Sequence, residues 1–197
     1  MKGADVRLTK VALLQQLATW DHFLKRKVRL IACGGTAMTL LGVKASTKDV
    51  DFMIPDEKEY AYLIAILRSV GYEEKSGYGF SRQDEPYVFD LFPGKRIHTT
   101  ELLQSPLDDG RHGVVQQFRW LYVGVLNPYD LIVSKLFRGS AVDFEDCAML
   151  VRAHRDTIDI SKLEKHFYEM AAYDIAEERV IGHWRSWKSQ LAKEGII

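Results

Sequence analysis

The chain has 197 residues, its 27 Lys and Arg balance 27 Asp and Glu, and nearly half of its residues are hydrophobic. That length buries one core, or one core with a helical appendage, and zero net charge excludes the broad basic footprint of a protein held chiefly by nucleic-acid phosphates. No apolar run reaches the length of a membrane span and no charged-then-apolar leader opens the chain, so a cytoplasmic protein without membrane association is expected.

In chain order, apolar spacing predicts a helix over about Val11 to Lys25. Val28 to Ala32 is a short β-branched run, ended by the turn signal Gly34-Gly35, and Thr36 to Leu41 reads as a short helix. Asp49-Val50-Asp51-Phe52-Met53-Ile54 alternates polar and apolar and then runs apolar, the pattern of a strand passing from a solvent-facing site into a core. A helix over Glu57 to Val70 follows, then strands near Tyr72 to Lys75, Gly79 to Arg82 and Val88 to Phe92, a polar crossover, and a strand from Trp120 to Leu126. Asn127-Pro128 is a helix-start signal, and helices are expected near Pro128 to Arg138, Asp143 to His154, Ser161 to Tyr173 and Ala176 to Lys193. The order gives a mixed α/β (α+β) core over residues 1–126, its sheet flanked by helices, with a helical C-terminal portion over residues 127–197 packed on it. No linker, repeat or low-complexity tract divides the chain.

The chemistry concentrates in two stretches. Glycines after a strand let backbone N–H groups approach an anion, so Gly34, Gly35 and Thr36 are candidates for cradling a phosphate, with a plain turn as the alternative. Asp49 and Asp51 point to one face of their strand, and two carboxylates on one face are best stabilised by a divalent ion; oxygen donors favour Mg²⁺. The other acid-x-acid pairs, Glu57/Glu59 and Asp143/Glu145, fall in helical segments where i and i+2 do not share a face, and read as solvated charges. Asp90, alone in the hydrophobic run Tyr87-Val88-Phe89-Asp90-Leu91-Phe92, is the candidate third acid, unless local backbone N–H groups hold it as a strand-end Asp. Cys33 and Cys147 lack metal-ligand spacing and read as reduced packing residues, and the six histidines form no ligand pattern.

Gly34-Gly35, thirteen intervening residues, then Asp49-Val50-Asp51-Phe52 resembles the signature of the DNA polymerase β-like nucleotidyltransferase superfamily. Gly-Gly-Thr-Ala, Leu-Leu-Gly and Ser-Thr-Lys-Asp-Val-Asp are most similar to its small prokaryotic stand-alone members, including those related to abortive-infection and toxin–antitoxin nucleotidyltransferases. The resemblance implies an α/β nucleotidyltransferase fold and transfer of a nucleoside monophosphate from a nucleoside triphosphate, ATP among the candidates, to a hydroxyl acceptor with release of pyrophosphate. It implies Asp49, Asp51 and Asp90 as catalytic metal ligands for two Mg²⁺ ions, with Gly35 and Thr36 on the β- and γ-phosphates. Lys135, in the helix after the sheet and ahead of the acidic segment Val142 to Asp146, would contact the triphosphate unless it is a snorkelling surface lysine; Lys48 and Lys44 are weaker candidates. The Arg that such proteins often carry shortly before the first Asp is replaced here by the region of Lys44 and Ala45.

The acceptor implied is tRNA, a protein side chain or a small hydroxylated compound. The basic cluster Lys25-Arg26-Lys27 with Arg29 is expected near the site, as a solvated face or a nucleic-acid contact. Trp184 and Trp187 beside Arg185 and Lys188 either pack the last helix or form an aromatic platform. A second reading makes the chain a partner-binding component of a two-gene toxin–antitoxin-like module with little or no catalysis, its interface on exposed C-terminal aromatics.

Overall fold

The computed structural model describes residues 6–75 and 77–197. Its elements are β1 (Leu8–Thr9), α1 (Lys10–Phe23), β2 (Val28–Ala32), α2 (Gly34–Leu40), β3 (Ser46–Thr47), β4 (Val50–Ile54), α3 (Glu57–Ser69), β5 (Glu73–Glu74), β6 (Gly79–Ser81) and β7 (Phe89–Pro93). These are followed by β8 (Arg96–Ile97), β9 (Thr100–Glu101), β10 (His112–Gln117), β11 (Leu121–Leu126), α4 (Pro128–Arg138), α5 (Ala141–Ala153), α6 (Ile160–Ala171) and α7 (Glu177–Lys193). Seven strands form one mixed sheet in the order β10-β11-β2-β4-β7-β6-β5, so the architecture is α/β with helices flanking a mixed sheet. None of the described helices is long and apolar enough to cross a membrane.

β4 holds the middle of the sheet, antiparallel to β2 and parallel to β7. All five of its residues are buried, which explains why the second half of the strand abandons alternation and runs Phe52-Met53-Ile54. α1 buries Leu13, Leu17 and Trp20 on one stripe, and Trp20 Nε1 donates to Tyr72 Oη at 2.9 Å. Tyr72 Oη in turn lies 2.7 Å from Glu85 Oε2, tying α1 to the far end of the sheet.

α4 is the pivot of the helical portion. Asn127 caps it by accepting from Asp130 N at 3.0 Å, Pro128 occupies its first turn, and Gly139 closes it at φ +71°. Every residue from Asp130 to Phe137 is buried, because α4 packs between α2 and the later helices. Trp184 and Trp187 are almost fully buried and stack into the cluster around Phe167, so they pack α7 rather than forming an exposed platform.

Three expectations are corrected here. The polar crossover contains the β8–β9 hairpin and β10; β10 is an edge strand with a bulge between Val114 and Gln116, and its exposure leaves it without a core-facing apolar alternation. The basic cluster lies at the start of β2, whereas Gly34 follows the other end of that strand, so the cluster is remote from the site; Arg29 there bonds Glu59 Oε1 at 2.6 Å. Asp143 is not a solvated charge but fully buried, and Glu59 is an ion-pair partner of Arg29.

Candidate active site

The Gly-Gly turn and the acidic strand are built against each other. Gly34 adopts φ +56°, and a side chain there would run into the Asp51 carboxylate; a Cβ on Gly35 would sit 2.8 Å from Thr47 Oγ1. Thr36 is fully buried: its hydroxyl donates to Asp49 O at 3.1 Å and accepts from Asp51 N at 2.9 Å. Thr47 Oγ1 also donates to Asp49 O, at 2.7 Å. The Thr36 side chain is therefore a clamp on the backbone that carries the two acids, and it does not face an open phosphate site as the sequence leads one to expect.

β4 and β7 run parallel with Asp51 and Asp90 as register partners, so both carboxylates leave the same face of the sheet. Asp49, just before β4, is exposed. The three acids share one cleft of about 240 Å³, lined also by Arg7, Gly35, Lys44, Lys48, His98, Lys135 and Arg138. The structure thus brings together Asp49, Asp51, Asp90, Gly35, Lys48 and Lys135, with Gly34 on the adjoining hollow beside His98 and Lys135.

The electrostatics are those of crowded carboxylates. Burial, followed by repulsion from Asp90 and Asp49, raises Asp51 to about 7. Asp90 is raised as well, mainly by burial, with Asp49 adding to it and the neighbouring His98 opposing. His98 was missed from sequence; it occupies the β8–β9 turn at φ +50°, with Nε2 4.0 Å from Asp51 Oδ1 and its ring against Phe92. Its pKa is lowered, first by burial and then by Arg138. Arg7, brought to the cleft edge by the β1–β3 pairing and bonded to Ser46 Oγ at 3.1 Å, carries no sequence signal either.

On the opposite wall, Lys135 is neither a snorkelling surface lysine nor an open ligand. It is 2% exposed, with Nζ 2.7 Å from Asp146 Oδ2 and 3.8 Å from Asp143 Oδ1. Lys44 pairs with the other oxygen of Asp146. Arg138 grips Asp143, whose carboxyl burial would raise; hydrogen bonds from Arg138 and Ser140, with the charges of Arg138 and Lys135, outweigh that and hold it below the ordinary range.

The donor set fits Mg²⁺ of one kind only. Among the described residues no group of three or more His, Cys, Asp or Glu side chains is spaced to hold a metal by itself. What the cleft offers is adjacent, mutually repelling oxygen donors, and Mg²⁺ is commonly held by one or two carboxylates with substrate phosphates and water completing the octahedron. Asp49, Asp51 and Asp90 therefore suit an ion that arrives with a polyphosphate, not one resident in a protein cage.

A carboxylate pair on neighbouring strands, Asp51 buried and Asp90 half-buried, beside a Gly-Gly turn in a mixed sheet flanked by helices, defines a protein of the nucleotidyltransferase class. The chain belongs to the family described as nucleotidyltransferase of unknown function (DUF6036), which it matches over residues 11–193. It is also similar to a solved structure, that of an antigenic nucleotidyltransferase-like protein from Paracoccidioides brasiliensis, at 13% identity and a TM-score of 0.45, covering 90% of this chain and 95% of that one. No curated protein sequence matches the chain.

Proposed function

We propose that the protein is a Mg²⁺-dependent nucleotidyltransferase that moves a nucleoside monophosphate from a nucleoside triphosphate to a hydroxyl acceptor, whether tRNA, a protein or a small molecule, and releases pyrophosphate. The observation that carries this reading is the register pairing of Asp51 with Asp90 beside Asp49, in a cleft rimmed by cations. In nucleotidyl transfer a protein contributes mainly position and charge neutralisation, which is what such a cleft supplies.

Asp49 and Asp51 would hold the Mg²⁺ that accompanies the triphosphate, and Asp90 would complete a second site. Bound there, Mg²⁺ supplies Lewis-acid neutralisation of the phosphate oxygens. The chain's own residues do the rest. Gly34 and Gly35, lacking side chains, let the start of α2 lie directly against Asp51 and Thr47, so that its backbone borders the cleft; Lys48 adds positive charge at the cleft mouth, and Lys135 does so from beneath. Asp90, whose carboxyl is raised by burial, accepts the proton of the acceptor hydroxyl as its oxygen attacks the α-phosphorus and the bond to the pyrophosphate oxygen breaks.

The test is transfer of α-³²P label from each of the four nucleoside triphosphates, with Mg²⁺, into small RNA, protein and small-molecule fractions of a lysate, wild type beside Asp49→Asn. Label that appears with wild type alone identifies nucleotide and acceptor class. Equal labelling by the variant overturns the site assignment.

A further inference from the structure

Lys135 and Arg138 lie three residues apart on α4 and line the same cleft, yet they meet it differently. Lys135 is sealed at 2% exposure, whereas Arg138 keeps 48% of its side chain exposed. Arg138 Nε donates to Asp143 Oδ2 at 2.8 Å and Nη2 donates to the other oxygen, so one edge of the guanidinium is fixed. Asp143 cannot yield. It is fully buried, and as the third residue of α5 it also closes the capping box with Ser140: its Oδ2 accepts from Ser140 Oγ at 2.7 Å and Ser140 N at 3.2 Å, and its own N donates to Ser140 Oγ. Between the two helices Gly139 takes φ +71°, with no room for a side chain against the His183 ring, so the turn that sets Arg138 over Asp143 is itself fixed.

The charges in this wall do not cancel. Lys44, Lys135 and Arg138 face Asp143 and Asp146, three cations against two carboxylates, and Arg138 is the most open of the five. A planar fork anchored along one edge presents its other edge in the geometry that matches a phosphate bidentately.

We propose that Arg138 is the cation of this cleft that contacts the nucleotide's phosphate oxygens, with Asp143 as the positioning residue that aims it and Lys135 as a buried counter-charge. The proposal rests on the nucleotidyltransferase reading and moves the direct phosphate contact from Lys135 to Arg138.

Calorimetric titration with inorganic tripolyphosphate and Mg²⁺ tests it without knowledge of base or acceptor. Arg138→Ala weakens binding by about 10- to 100-fold, the loss of one or two charge-assisted hydrogen bonds. Arg138→Lys, which keeps the charge without the fork, recovers only part of the affinity, and Asp143→Asn, which keeps a capping oxygen but sets an amide N–H against the Arg138 donors, weakens binding in protein that still folds. Because Arg138→Ala leaves Asp143 short of a partner, the double variant Arg138→Gln/Asp143→Asn removes both charges yet keeps a capping side chain, and it binds as weakly as Arg138→Ala. Wild-type affinity in folded Arg138→Ala or in the double variant overturns the proposal; if Asp49→Asn has meanwhile lost Mg²⁺-dependent binding, the nucleotidyltransferase reading survives alone. Failure of the wild-type protein to bind Mg²⁺-tripolyphosphate overturns both.

Discussion

Asp51 on β4 and Asp90 on β7 are direct register partners across two parallel strands at the centre of the sheet. A slip of one residue would set Asp51 against Phe89 or Leu91 and turn one carboxylate into the core, so sheet register and cleft charge are one property.

Raising Asp51 to about 7 has a stability consequence whose sign is fixed. The folded state holds its proton more tightly than the unfolded chain, whose value is near 3.8, so stability is full at low pH and is lost as pH rises from about 4 to 7. Without divalent ions, Asp51→Asn therefore melts roughly 3–10 °C above wild type at pH 8, from 1–3 kcal/mol, and the difference vanishes near pH 4. Scanning calorimetry across that range checks it; a variant less stable than wild type at pH 8 would show that the carboxylate is compensated within the protein.

Metal binding should depend on the nucleotide. Since the acids do not form a three-ligand cage among the described residues, Mg²⁺ alone binds weakly, in the millimolar range, and at least tenfold more tightly in the presence of a non-hydrolysable triphosphate. Titration calorimetry with and without the analogue measures the coupling, and equal affinities would refute a shared site.

Asp49 and Asp90 should fail differently. Asp49→Asn abolishes Mg²⁺-dependent nucleotide binding or transfer with little change in melting temperature, because Asp49 is exposed. Asp90→Asn spares binding more than turnover, which falls by about 10²–10⁴-fold for the loss of a general base. Parallel binding and single-turnover measurements separate the two, and equal binding losses would merge their roles.

Thr36→Val deletes the hydroxyl that bridges Asp49 O and Asp51 N, stranding a buried N–H. A loss of about 1–3 kcal/mol in urea unfolding follows, with Thr36→Ser restoring most of it. If Thr36→Val is as stable as wild type, the clamp does not hold the strand.

What the sequence discloses follows from how local each signal is. α4 is legible to the residue, Pro128–Arg138, because Asn127-Pro128 marks its start and its apolar spacing runs on to Arg138. β2, the Gly-Gly turn and the acidic strand are equally local, and Asp90 is visible as a lone charge in an apolar run. β10 is not legible, since a bulged edge strand needs little apolar alternation. His98 and Arg7 reach the cleft only through short pairings, β8 with β9 and β1 with β3, that leave no periodic trace. The hydroxyl of Thr36 gives no hint that it turns inward, and Asp143 looks like any helical acid until the α4–α5 turn folds it beneath Arg138.

The two walls of the cleft come from distant parts of the chain: the acids precede residue 91, while Lys135 and Arg138 belong to α4. As the polypeptide is made, the acids therefore emerge together with Arg7, Lys44 and Lys48, and well before Lys135 and Arg138. A chain interrupted ahead of residue 128 carries the three acids and the N-terminal cations but lacks the side of the cleft that α4 supplies. The complete cleft thus exists only once translation and folding have run past the fourth helix.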